Sequence, residues 1–315
     1  MRPNSARFSR RALLAAAGAL PLARRAAAQA PGPAWRSFEL AVPTDARGAR
    51  RALVLLPREL DPKASLPLLV LLHGLGETND EHAGTHAWLE RYGLGRAWEG
   101  LQKPPLPRET PSFLSDAEDG ARSQCLARRP FAGLCVICPY LPHPRALAAS
   151  DPKFERYAAW LGDALLPAVR DRVPEATRSA AQTGIAGVSL GGFVALQVAL
   201  NRPSHYATVG SVQGAFGVEL ATSLARRLAT SFGAPGRSVY VATSQADPYR
   251  AANEMLARQL AALRVPNALC LRNGPHSQPW LREVGSADLL LWHDRALRSL
   301  ASEVPSEVSH SCCAG

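Results

Sequence analysis

The chain has 315 residues, of which 47% are hydrophobic and 20% charged. That balance suits a soluble globular protein with a sizeable core, and it excludes collagen-like and wholly disordered chains. Mean hydropathy is −0.09, and no apolar run approaches the ~18 residues of a membrane helix. The formal net charge is +10, but residues 1–30 contribute six arginines and no acid, leaving +4 for the remainder. That remainder holds only scattered basic pairs, so nucleic acid is not an expected partner.

Residues 1–30 read as an address and stand outside the fold. Ser9-Arg10-Arg11-Ala12-Leu13-Leu14 has the form of a twin-arginine export signal. The apolar stretch Ala12 to Ala23 is too short to span a membrane, and small residues follow at Ala26-Ala27-Ala28 and Ala28-Gln29-Ala30. The expected product is a bacterial protein sent to the periplasm or the medium. The expected organisation is a leader at 1–30, one catalytic domain at 31–304 and a polar tail at 305–315.

From residue 38 the chain alternates short apolar runs with helical stretches, the pattern of an α/β fold. Expected strands are Phe38–Val42, Arg51–Leu56, Leu66–Leu72, Leu134–Pro139, Thr183–Val188, Thr208–Gln213, Ser238–Thr243 and Ala268–Arg272. The third is apolar nearly throughout, as a central strand covered on both faces should be. The first two are more mixed and suit a sheet edge. Helical periodicity covers 153–171, with Tyr157, Trp160, Leu161, Ala164 and Leu165 on one stripe, and recurs at 190–201, 249–264 and 287–302. Gln102 to Pro130, rich in proline, serine and charge, reads as a long loop or flap. Only about 24 residues, Ala215 to Ser238, join the sixth and seventh strands, which leaves no room for a large cap domain and predicts an open cleft.

Cys135-Val136-Ile137-Cys138 has metal-like spacing. In a strand, however, residues three apart face opposite ways, so the two sulfurs cannot share one ion. Buried apolar cysteine is the expectation for both and for Cys270. Cys125 is placed to bridge to either of the pair. No metal is expected.

The chemistry centres on Gly187-Val188-Ser189-Leu190-Gly191-Gly192. A strand runs straight in and the helical stretch Phe193–Leu200 straight out, which makes the strand–turn–helix elbow that presents a serine at a sharp turn. A serine hydroxyl needs a base, and the base needs an orienter. Asp247 follows the seventh strand and His276 the eighth, in the order serine, acid, histidine. His293 lies inside a helix and reads as a packed residue. The oxyanion would be held by the backbone N–H groups of Leu190 and of Leu75, the latter in His73-Gly74-Leu75-Gly76 after the third strand. His73 itself reads as a residue that orients this loop. Candidate substrate-binding walls are Tyr140, Gln213, Phe216 and Trp280, each beyond a strand's C-terminal end.

On His73-Gly74-Leu75-Gly76, the serine elbow, Asp247-Pro248 and Gly274-Pro275-His276, the chain from about Phe38 to Leu300 resembles the α/β-hydrolase-fold serine esterases. It looks most like the secreted esterase group that includes feruloyl esterases, acetylxylan esterases and polyhydroxybutyrate depolymerases. That resemblance implies a mostly parallel sheet of about eight strands with helices on both faces, no cofactor, and a small-molecule, polysaccharide or polyester ester as partner. Pro275 stands where the group commonly has a second glycine. A peptidase or acyltransferase on the same scaffold, or a binding protein that kept the fold, are the competing expectations.

Overall fold

The computed structural model describes residues 32–299, apart from 45–47, 61, 62, 64 and 144–151. The expected leader and tail lie outside the described residues. One compact unit begins at Pro33.

All eight expected strands form, in one sheet of order β1-β2-β4-β3-β5-β6-β7-β8. They are β1 Trp35–Pro43, β2 Ala49–Pro57, β3 Leu68–Leu72, β4 Cys135–Pro139, β5 Thr183–Val188, β6 Thr208–Val212, β7 Ser238–Ala246 and β8 Asn267–Pro275. The β1–β2 and β2–β4 pairings are antiparallel. Every pairing from β4 to β8 is parallel. Strand β1 is an edge, as expected. Strand β2 is not: it lies between β1 and β4, and its residues from Ala52 to Pro57 are buried. Its mixed look comes from Arg50 and Arg51 at the exposed start.

The parallel strands are apolar on both faces because helices cover both. Leu68, Val70 and Leu72 of β3 enter one core; Leu69 and Leu71 enter the other. The first core is closed by α4 Pro152–Ala159, α5 Leu166–Arg172, α6 Leu190–Asn201, α7 Val218–Phe232 and α8 Arg250–Ala262. A π-helical turn, Trp160–Leu165, joins α4 to α5. Tyr157, Trp160, Leu161 and Leu165 of the expected stripe all bury in that core. The second core is closed by α1 Glu81–Glu90, α2 Leu94–Gln102, α3 Asp116–Arg128 and α10 Ser286–Ser299, the last preceded by the short turn α9 Gln278–Trp280. The β6–β7 connection holds the single helix α7, so no cap domain interrupts it.

Alternation settles the cysteines. Cys135 points into the first core and Cys138 into the second. Both are buried free thiols, so the expected bridge from Cys125 to either of them is not formed. Burial pushes the Cys135 thiol up to about 12 and Cys138 in the same direction, so neither offers a thiolate. Cys270 is buried, as expected. His293 is a packed residue: it is fully buried, its Nδ1 lies 3.0 Å from Thr208 Oγ1, and burial lowers its pKa to about 3. Among the described residues no helix is long and apolar enough to cross a membrane.

The segment read as a loop departs from expectation. Residues 102–130 contain α3, opened by a capping box in which Ser115 and Glu118 satisfy each other's backbone N–H groups. The stretch before α3 folds back onto the end of the sheet that carries the histidine loop.

Candidate active site

Strand β5 ends at Val188 and α6 begins at Leu190, so Ser189 alone makes the turn. Its φ of 56° and ψ of −119° are costly for a residue with a side chain. Close packing holds it there. A Cβ at Gly191 would lie 2.4 Å from the carbonyl oxygens of Leu72 and His73, and one at Gly187 would lie 2.4 Å from the Gly191 backbone. The Ser189 N–H donates to Val212 O at 2.9 Å, and its carbonyl accepts from Ala215 N at 2.9 Å and Phe193 N at 3.2 Å. The elbow is therefore tied to the end of β6.

Asp247 and His276 meet directly. His276 Nδ1 lies 2.9 Å from Asp247 Oδ1. The Asp247 side chain has no solvent exposure, whereas that of His276 keeps 26%, so the imidazole is accessible and its partner is not. Asp247 also accepts from Thr243 Oγ1 at 2.7 Å and from Tyr249 N at 3.1 Å. With Nδ1–H given to the carboxylate, Nε2 keeps its lone pair. Ser189 stands on the same sheet edge, linked to the histidine loop through Val212, Gln213 and Pro275. Gln213 sits at φ 48° directly after β6 and donates to Pro275 O at 3.1 Å and to Ser244 Oγ at 2.7 Å.

The loop after β3 lies over the nucleophile: a Cβ at Gly74 would come 3.8 Å from Ser189 Cβ. Leu75 opens a 3-10 turn, Leu75–Glu77, and Leu190 opens α6. The first N–H of a helix has no intrahelical acceptor. Two buried networks hold this loop. His73 donates from Nδ1 to Gly74 O at 2.9 Å and accepts at Nε2 from Leu141 N at 2.9 Å. Burial lowers its pKa, so it is neutral and occupied at both nitrogens, the orienting role expected of it. The second network has no signal in the sequence. The Gly74 N–H donates to Tyr92 Oη at 3.2 Å, Tyr92 donates to Glu77 Oε2 at 2.5 Å, and Arg91 meets Glu77 Oε1 at 3.2 Å. Burial, with the bond to Glu77, raises the Tyr92 pKa and keeps its proton in place.

Three of the four expected wall residues are buried rather than facing a cleft. Gln213 and Trp280 have no exposed surface and Phe216 has 4%. Gln213 braces the histidine loop, Trp280 donates from Nε1 to Asn273 O at 2.8 Å, and Phe216 packs against Phe193. A position beyond a strand fixes where the backbone is, not which way the side chain turns. Tyr140 remains half exposed, with its hydroxyl donating to Thr78 O at 2.5 Å. Large exposed apolar side chains include Leu75 at 51%, on the loop over Ser189, and Val218 at 45% and Leu220 at 40% in the first turn of α7.

The histidine loop has a further support. A Cβ at Gly274, whose φ is 115°, would lie 2.7 Å from Phe113, so the segment before α3 packs directly behind it. Glu283, with its side chain fully buried, accepts from Phe113 N at 3.0 Å and from Ser112 Oγ, with Arg108 3.9 Å away. Glu283→Ala should lower stability by about 2–4 kcal/mol, because these donors lose their acceptor away from water. It should also expose 102–115 to limited proteolysis. An unchanged Tm and cleavage pattern would show that the carboxylate does not anchor the segment.

Residues 141–283, which contain Ser189, Asp247 and His276 but not Leu75, match the family model described as putative esterase. No curated protein sequence matches the chain. Among solved structures, a ferulic acid esterase aligns with TM-score 0.60 and 15% identity, over 83% of this chain and 98% of that one. S-formylglutathione hydrolase from Staphylococcus aureus aligns with TM-score 0.54 and 14% identity, over 84% and 98%. The enterobactin esterase of Shigella flexneri aligns with TM-score 0.57 and 18% identity, over 87% of this chain and 61% of that one. The chain is thus an α/β hydrolase in fold, and its stretch from 141 to 283 carries the sequence pattern of the putative esterase family.

Proposed function

We propose that the protein is a serine hydrolase that cleaves carboxylic esters through an acyl-enzyme, with Ser189, His276 and Asp247 as nucleophile, base and orienter. The reading rests above all on the accessible His276 held by a buried Asp247 at the sheet edge where the elbow presents Ser189. The esterase-type family match over this stretch supports it. His276 Nε2 takes the Ser189 proton as Oγ attacks the carbonyl carbon. The oxyanion develops against the N–H groups of Leu75 and Leu190, each contributing about 3–4 kcal/mol in sites of this kind. His276 then passes the proton to the leaving alcohol. Water, activated by the same nitrogen, releases the acid. None of these steps needs a metal or organic cofactor.

Leu75, exposed on the loop over Ser189, offers an apolar side chain beside the nucleophile, which favours acyl groups with a hydrocarbon or aromatic body over acetate alone. The short β6–β7 connection leaves the site open to bulky esters. We further propose export to the periplasm or medium, from the arginine pair Arg10-Arg11 and the apolar run after it.

The test is a substrate panel with purified protein: short and long acyl p-nitrophenyl esters, methyl ferulate, acetylated xylan, a polyester film, and matched amides. Ester turnover with amides inert, together with fluorophosphonate labelling mapped to Ser189, is the expected result. Absence of both turnover and labelling would overturn the reading and favour a binding role.

A further inference from the structure

One cluster of metal-ligating side chains lies apart from the ester chemistry. His82 and His86 are one helical turn apart on α1, and Glu39 comes from the edge strand β1. One ligand atom from each lies within 4.8 Å of the other two. The imidazole rings face each other at 4.2 Å, 18° from parallel. His86 Nδ1 lies 3.1 Å from His82 O; donating that N–H leaves the Nε2 lone pair available, as in many metal-ligating histidines. Nε2 is directed at Glu39 Oε1, 3.4 Å away. The other oxygen, Oε2, is held by Arg51 Nη1 at 3.1 Å, so the carboxylate is already oriented with one oxygen toward the histidines.

The backbones that carry these groups are well fixed. Asp80 caps α1 by accepting from Ala83 N at 2.9 Å, and Glu81 Oε1 accepts from Arg51 N at 3.0 Å, tying the helix to β2. The opposite face of α1 is pressed against the core, where a Cβ at Gly84 would strike His73 and Tyr140. A tetrahedral ion with bonds of about 2.0–2.2 Å wants its ligand atoms roughly 3.4 Å apart. Glu39 and His82 are exposed and His86 half-buried, so side-chain rotation alone can close the remaining gap. Two imidazoles and one carboxylate suit a borderline ion rather than calcium or magnesium, which prefer oxygen.

We propose that Glu39, His82 and His86 bind one Zn²⁺-type divalent transition-metal ion, with water completing the shell, and that the ion clamps the edge strand to α1. No acid or base placed to use the metal-bound water is needed for this role, which is structural. The inference does not depend on the ester chemistry.

The test uses the full chain, produced without an affinity tag and stripped with a chelator. Zn²⁺ is titrated calorimetrically and against a chromophoric chelator, and Co²⁺ supplies a visible spectrum. One equivalent should bind with Kd below about 10 μM, with a rise in Tm and tetrahedral Co²⁺ bands. His82→Ala and His86→Ala should each weaken binding by at least about tenfold, and Glu39→Gln by a lesser factor. Circular dichroism and the metal-free Tm of each variant check that folding is intact. No saturable one-to-one binding in this range, or affinity undiminished in the double histidine variant, would overturn the proposal.

Discussion

Ser189→Ala is expected to lower kcat on p-nitrophenyl esters by roughly 10⁵–10⁶-fold, with KM nearly unchanged. The size follows from what the hydroxyl alone supplies. Without Oγ no acyl-enzyme forms, and His276 has no proton to collect from a nucleophile. The residual rate would come from binding and from the N–H groups of Leu75 and Leu190. The elbow itself should survive. Ser189 contributes no side-chain cap to α6, and the turn is held by backbone bonds to Val212, Phe193 and Ala215. Alanine is also no worse suited than serine to a φ of 56°. Tm should therefore stay within a few degrees, and fluorophosphonate labelling should vanish. A variant that keeps its fold and retains turnover within tenfold of the parent would remove Ser189 from the mechanism.

The fold was legible because its signals are local. A strand covered on both faces must be apolar along its length, and β3, β4 and β5 are buried at every residue. Helix α3 was hidden for the opposite reason. Only Arg122 and Leu126 of its thirteen residues are buried, so no apolar stripe marks it; the signal available was the Ser115–Glu118 capping box. Helix α7 carries a readable signal in the helical spacing of Ala221, Leu224, Ala225, Leu228 and Phe232. Gly93, at φ 73°, separates α1 from α2.

That Ser189, Asp247 and His276 share one sheet edge is legible because each follows directly on the last residue of a parallel strand. Their supports are not. Tyr92 reaches Glu77 from 15 residues away, and Ser112 reaches Glu283 from 171. Nothing in either stretch announces its partner. The same limit explains Gln213, whose place beyond β6 was readable but whose inward turn toward Ser244 and Pro275 was not.

Asp247→Asn should lower kcat by roughly 10³–10⁴-fold, again with little change in KM. The carboxylate accepts from three donors: His276 Nδ1 and Tyr249 N at Oδ1, and Thr243 Oγ1 at Oδ2. An amide can be placed in only two ways. With its NH₂ toward His276, it meets the Tyr249 N–H donor to donor, and it forces the imidazole into the tautomer whose Nε2 carries the proton and cannot accept from Ser189. With its NH₂ toward Thr243, the tautomer is kept, because the threonine hydroxyl can accept as well as donate. The Tyr249 N–H favours this second placement. What is then lost is the negative charge that steadies the imidazolium formed as Ser189 attacks, a loss felt more in the transition state than in substrate binding. Thr243→Val alone, which removes only the bond to Oδ2, should cost far less, about tenfold. The comparison separates charge from position: if Asp247→Asn and Thr243→Val reduce kcat equally, the carboxylate acts by holding geometry. If Asp247→Asn leaves kcat within tenfold of the parent, another group orients His276 and this assignment of the acid fails.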